Sequence, residues 1–460
     1  MRILIKGGMV TTAVDSYQAD ILIEGEKIKA VGELPEAGAD QVIDASEKLV
    51  LPGAIDVHTH FDMPFGGTVT ADDFKTGTTA AAVGGTTTVI DYAIQPVGGT
   101  LKQAVETWHQ KAGGKCAIDY SFHLAVTDLN AEVLQEIPLL IEAGYPSFKV
   151  FMAYKNLFQV DDLSLLKILR LTRRYGGLVM AHAENGDIIQ GLTEEFLLRG
   201  QTEPLYHALS RPPLAEEEAV NRFLTLAQIA EAPAYIVHLS TAGALARVAE
   251  ARSKGLPVFA ETCPQYLFLT MECYEEPNFE GAKYVMSPPL RVKGNENYIW
   301  QGLRGGTLQI VASDHCSFNF RGQKEMGRGD FTKIPNGAPG VETRVKLLYA
   351  GGVAQGLISP NQMVELVSTA PARLFGLFPR KGTIAPGSDA DLVIFDPEST
   401  FTITKELQYQ NVDYNPFEGF EGRGLPESVF CRGQLIVDQG LYVGPEGYGR
   451  YLPREPVFKL

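Results

Sequence analysis

The chain has only eight histidines in 460 residues, and four of them fall where apolar, strand-like runs end. His58 and His60 flank Thr59 at the close of a first run, Leu51 to His58. Residues i and i+2 of a strand face the same side, so such a pair is able to grip one metal ion. His182 closes a run from Leu178 to Ala183, His238 lies in Tyr235 to Ser240, and Asp314 directly follows Leu308 to Ser313. Imidazole and carboxylate suit zinc or a similar first-row ion. Lys149 is the odd member, set among large apolar neighbours in Ser147-Phe-Lys-Val-Phe-Met152. One reading is a lysine snorkelling to water. The other follows from burial, which drives an amine towards neutrality and nucleophilicity. A neutral amine adds carbon dioxide to give a carbamate with two oxygens able to bridge two metals. Charge counting favours the carbamate, because Asp314 and a hydroxide alone leave two divalent ions undercompensated.

These residues act together only if the strands bring them to one place. Further apolar, β-branched runs occur at Thr86 to Tyr92, Ile118 to Val126 and Pro257 to Thr262, making eight, and helical patterns separate them. Continuous apolar runs joined by helical crossovers imply a parallel sheet buried on both faces. The expected fold is α/β, a (β/α)8 TIM barrel over 53–378 whose strand ends converge on one mouth. A doubly wound open sheet is the second choice, but it would usually offer a glycine-rich phosphate loop after an early strand. Short alternating strands at both ends, in 1–52 and 379–440, are expected to pair into one small β-sandwich. The Tyr-, Pro- and Gly-rich residues 441–460 read as an arm packing on a neighbour.

With 55 acidic against 40 basic residues the formal charge is -15, which argues against nucleic acid or an anionic membrane as partner. No apolar run is long enough to span a bilayer. The first residues are interrupted by charge too early for a signal peptide's apolar stretch. Five scattered cysteines form no CxxC pair, so neither a disulfide framework nor a zinc ribbon is suggested. A reducing cytoplasm is the expected compartment.

The ordered set Asp56-x-His58-x-His60, Lys149, His182, His238 and Asp314 resembles the binuclear cyclic amidohydrolases. Closer still, Asp62-Met-Pro-Phe-Gly-Gly67, Phe148-Lys-Val-Phe-Met-Ala-Tyr-Lys155, Glu261-Thr-Cys-Pro-Gln-Tyr266, Ser287-Pro-Pro-Leu-Arg291 and Ile334-Pro-Asn-Gly337 are similar to segments of dihydropyrimidinases and D-hydantoinases. The resemblance runs essentially the whole length. It implies two divalent ions, zinc being expected, with His58, His60, Lys149 and Asp314 on one. Carboxylated Lys149, His182 and His238 would hold the other, and a hydroxide would bridge the pair. It implies further that Asp314 shuttles the proton and that the Tyr154 hydroxyl stabilises the oxyanion. Main-chain groups of Ser287 and Asn336 would bind the ureide edge. The reaction implied is ring opening of dihydropyrimidines and 5-substituted hydantoins to N-carbamoyl amino acids, by a homo-tetramer or dimer.

Met63, Phe65, Phe151 and Phe158 lie near the expected mouth and are candidates for a pocket around the ring substituent, although core packing explains Phe151 and Phe158 equally well. His123 reads as a satisfied core histidine, while His109, His207, His315 and Cys316 carry no assigned task. Dihydroorotase is disfavoured, since Asp62 stands where that family's pattern has a carboxylate-binding arginine. An allantoinase-type enzyme and a non-enzymatic scaffold like the collapsin response mediators are the remaining alternatives. The scaffold class lacks the full ligand set, which is complete here.

Overall fold

The first apolar run, continuous in sequence, divides at Pro52 and Gly53 between two sheets. Leu49–Pro52 pairs with terminal strands, whereas Ala54–Thr59 opens the barrel. Glycine is required at the division, because a Cβ on Gly53 would stand 2.2 Å from the Thr87 hydroxyl. The computed structural model describes residues 1–458.

The barrel strands are β1 (Ala54–Thr59), β2 (Thr86–Ile94), β3 (Asp119–Ala125), β4 (Ser147–Phe151), β5 (Leu178–His182), β6 (Ala234–Ile236), β7 (Val258–Thr262) and β8 (Ile310–Val311). They pair in chain order, each parallel to the next. The expected eight strands are therefore present, and the circle closes where Thr59 bridges His315 in parallel. The His60 amide donates to the His315 carbonyl there at 2.8 Å. Asp56 fastens the same seam, its Oδ1 accepting from the amides of Ser313 at 3.1 Å and His58 at 3.2 Å. Arg344, fully buried, lies 3.3 Å from Asp56 and donates to the Val311 carbonyl and the Thr86 hydroxyl.

Alternation along the strands sorts the core into two parts. Val89, Leu124, Phe148, Val150, Val179 and Ala181 meet the surrounding helices. Ile55, Val57, Ile90, Tyr92, Leu178, Met180, Tyr235 and Ile310 form a second cluster, joined by Phe375, Leu377 and Leu452. The helices start on side-chain caps that satisfy otherwise unpaired amides. Asp73 and Thr100 complete capping boxes, and Asn130, Asp161, Asn185 and Thr241 cap the helices after β3, β4, β5 and β6.

Terminal strands from both ends form one separate sheet. Leu49–Pro52 joins Arg2–Thr11 to Leu392–Thr402, with Val50 opposite Ile394. Leu441–Tyr442 extends this sheet beyond the expected limit at residue 440. The tail that follows makes contacts within its own chain. Through Phe458 it lies against its own barrel, and its last two residues fall outside the described residues. Leu452 and the Tyr120 carbonyl are bonded at 2.7 Å, and the buried Arg454 donates to the hydroxyls of Ser121 and Ser147. A guanidinium matched by hydroxyls and a carbonyl at the start of β3 and β4 is why the tail turns inward.

Candidate active site

The six candidate ligands lie at or just past the carboxyl ends of β1, β4, β5, β6 and β8, and all line one pocket. His58 is not a simple product of strand alternation. Ile55 and Val57 both belong to the inner cluster, so strict alternation would send His58 outward. The register of β1 against β2 shifts between Asp56 and Thr59, and such an irregularity re-aims a side chain. Tyr154, His238 and Asp314 all have positive φ, at 65°, 37° and 51°. A left-handed conformation is uncommon outside glycine and concentrates where geometry is imposed for function.

Burial disfavours the charged form of His58, His182 and His238. Burial, then Lys149, keeps His58 well below the usual histidine range. Its Nδ1 bonds Glu261, leaving Nε2 to face Asp314 Oδ1 at 3.1 Å and Lys149 Nζ at 3.3 Å. Glu261 also accepts from the Tyr235 hydroxyl at 2.8 Å and the His238 amide at 3.2 Å. Burial pushes its carboxyl up to about 8, against the anion-favouring donors around it. His182 repeats the plan, with burial lowering its pKa and Nε2 bonded to Glu184 at 2.8 Å. Its Nδ1 then lies 2.9 Å from His238 Nε2. Burial pulls the Lys149 ammonium down to about 8, opposed by Asp314 and Glu261, and its Nζ sits 4.5 Å from the Tyr92 ring centre.

This donor set fits metal. Deprotonated imidazole is the ligating form, and a carboxylate on the far ring nitrogen fixes the tautomer that offers the other. The ligand atoms of His58, His60 and Asp314 lie within 4.8 Å of one another. The His182–His238 pair is close to the separation, about 3.3 Å, of two nitrogens on one tetrahedral zinc at 2.0–2.1 Å each.

Tyr154, Ser287, Asn336, Met63, Phe65, Phe151 and Phe158 line the same pocket, joined by Ile94, Cys316 and Gly337. Burial raises the Tyr154 phenol to about 12, so its hydroxyl remains a donor at neutral pH. Its ring lies 5.2 Å from that of His182 and 5.8 Å, edge to face, from Phe65. The apolar four form one wall, with Phe158 5.2 Å from Phe151 and 6.0 Å from Phe65.

Elsewhere the histidines are structural. His123 bonds Ser147 and the Val57 carbonyl, as expected of a satisfied core residue. His109 bonds the Tyr145 hydroxyl at 2.7 Å, and His315 bonds Asp72 at 3.1 Å. His207, given no task by the sequence, is buried on the short helix Leu205–Leu209, with Nε2 2.8 Å from the Met286 carbonyl. Its isolated position among polar residues concealed a partner far along the chain.

Sequence reasoning missed the supports. Glu184 could have been found, standing two residues beyond His182. Burial would raise its pKa, but Arg211 at 3.0 Å and His182 outweigh that and hold it at about 2. Arg211 also stands 5.7 Å over the Tyr154 ring. Glu261, within β7, occupies a position equivalent to those that flagged the histidines.

A parallel eight-stranded barrel with buried imidazoles, a lysine and an aspartate at its strand ends defines a metal-dependent hydrolase of the amidohydrolase class. The Amidohydrolase family model matches residues 49–436, and the chain belongs to that family. It is 55% identical to a D-hydantoinase of Geobacillus stearothermophilus over 453 residues, 98% of this chain and 96% of that one. A D-hydantoinase of Streptomyces coelicolor is 51% identical and is covered to 98%, as is this chain. The crystal structure of a dihydropyrimidinase from Brevibacillus agri NCHU1002 superposes with a TM-score of 0.98 at 53% identity, covering 99% of each chain.

Glu261→Gln keeps the shape but weakens the acceptor on His58. Affinity for divalent metal, measured by competition with a chelator, is expected to fall about 10–100-fold. An unchanged affinity would separate Glu261 from ligand orientation.

Proposed function

We propose that this enzyme opens cyclic ureides by hydrolysis, converting 5,6-dihydropyrimidines and 5-substituted hydantoins to N-carbamoyl amino acids. The observation that carries the reading is the single pocket where His58, His60, Lys149, His182, His238 and Asp314 meet Tyr154 and the Ser287 and Asn336 segments. Full-length similarity to D-hydantoinases supports the substrate class and the D hand.

His58, His60 and Asp314 would hold one divalent ion, His182 and His238 a second, with N6-carboxylated Lys149 shared between them. Zinc suits this set. When bound, the ions supply Lewis acidity and a hydroxide nucleophile near neutral pH. Burial favours the carbamate on Lys149 by making the free amine available. Asp314 is the one carboxylate lining the pocket among the described residues, and it receives the nucleophile's proton and passes it to the departing ring nitrogen. Tyr154, protonated at neutral pH, donates to the developing oxyanion. Main-chain groups of Ser287 and Asn336 hold the ureide edge, and Met63, Phe65, Phe151 and Phe158 receive the ring substituent. That apolar wall favours this reading over an allantoinase, whose substrate carries a polar substituent, and the intact ligand set favours it over a scaffold.

A homo-tetramer or dimer belongs to the same reading. Leu163, Leu198, Leu214 and Ile229 leave apolar surface exposed on helices following β4 and β5. No helix among the described residues is long and apolar enough to cross a membrane.

The deciding experiment measures ring opening of dihydrouracil, hydantoins of both hands, allantoin and dihydroorotate by zinc-loaded protein. Dihydrouracil and D-hydantoins are expected to turn over fastest; preferred allantoin or dihydroorotate would overturn the assignment. Lys149→Ala is expected to lose binuclear metal binding by elemental analysis and to be partly restored by a small carboxylic acid. Full metal content and activity in that variant would remove the carbamate. Tyr154→Phe is expected to lower kcat about a hundredfold or more, and an unchanged rate would make Tyr154 a packing residue.

A further inference from the structure

Lys324 is fully buried yet lies in the polar stretch Gly322-Gln-Lys-Glu325, where exposure would be the ordinary reading. Among the described residues it has no carboxylate within 4.0 Å. Its Nζ instead donates to three carbonyls, those of Val285 and Pro335 at 2.7 Å each and of Gly337 at 2.6 Å. An ammonium has three N–H groups, so its donor capacity is used completely.

The three carbonyls come from two separate segments. Val285 precedes Ser287 by two residues, and Pro335 and Gly337 bracket Asn336. The Gly337 amide donates to the Val285 carbonyl at 3.0 Å, so the segments also bond each other. A Cβ on Gly337, whose φ is +146°, would stand 2.4 Å from the Cys316 carbonyl, so the approach admits only glycine. His207 fixes the intervening peptide through the Met286 carbonyl. Neither segment belongs to a regular strand or helix at Ser287 or Asn336, so no ladder of backbone bonds fixes their spacing.

We propose that Lys324 is a positioning residue for substrate, its ammonium tying the Val285–Ser287 and Pro335–Gly337 stretches into one rigid edge that receives the cyclic ureide. This rests on the proposed ring-opening activity. A buried ammonium held only by carbonyl dipoles is costly to retain, and what it secures is the spacing between two main-chain segments. The metal candidates hang from the barrel strands, and Lys324 bonds none of them.

The test compares Lys324→Met, which removes all three donors, with Lys324→Gln, which keeps an amide donor, on zinc-loaded full-length protein. Metal content by elemental analysis is expected to stay at the wild-type level. KM for dihydrouracil is expected to rise at least tenfold in Lys324→Met, with kcat within about threefold, the pattern of lost uniform binding. Lys324→Gln is expected to recover part of the loss. Amide hydrogen exchange is expected to accelerate together in 284–290 and 333–339. Loss of metal, a fall in kcat at unchanged KM, or unchanged exchange in those segments would overturn the proposal, as would failure of both variants to fold. Absence of ring opening by the wild type would instead overturn the proposed function, and the exchange measurement would still decide the clamp.

Discussion

The mouth depends on how the first and eighth strands meet. β8 is only two residues long, too short for a backbone ladder to align it, yet Asp314 just beyond it must face His58 and His60. Asp56 supplies the alignment by accepting amides from both sides of the seam, and Arg344 ties Asp56, Val311 and Thr86 together from behind. A buried ion pair of this kind is weak evidence of stability. Its contribution is register. The His58–Asp314 approach of 3.1 Å follows from that register and from the left-handed backbone at Asp314.

Burial sets the chemistry that the alignment serves. Charged imidazolium is disfavoured at His58, His182 and His238 by desolvation before any neighbour acts, and the same effect lowers Lys149. Burial therefore favours the ligating form of these three imidazoles and eases deprotonation of Lys149. Glu261 and Glu184 restrain the two imidazoles differently. Glu184 is anchored as an anion by Arg211, whereas Glu261 is surrounded by neutral donors and is kept from titrating low by burial. The net charge of -15 is no guide to this environment, because His58, Lys149, His182, His238, Glu184 and Glu261 are all buried.

What the sequence disclosed follows the range over which its signals act. Strand ends are local, so runs closing on His58, His182 and His238 could be read directly, and the fold then brought them together. The change of sheet at Pro52 and Gly53 falls within one continuous apolar run. Supports such as Lys324 and His207 were hidden because their partners lie in other segments: a lysine between Gln323 and Glu325 reads as exposed until three distant carbonyls surround it. The tail's contacts with its own barrel were hidden for the same reason. Its composition suggests an arm packing on a neighbour, and Arg454 finds hydroxyls on β3 and β4 more than 300 positions earlier.

These ranges divide the site into two kinds of part. The donors for metal project from or just beyond the barrel strands, so their spacing is set by strand pairing and, between β1 and β8, by the contacts of Asp56 and Arg344. The Ser287 and Asn336 segments have no ladder, and their spacing is made by side chains reaching carbonyl oxygens. A single substitution therefore acts differently on each part. At the strand ends it removes a ligand, whereas at Lys324 it removes contacts that hold the Ser287 and Asn336 segments. Substrate fit can accordingly vary through the loops while the hydrolytic core remains constant, which is how one barrel accommodates different rings without rebuilding its chemistry.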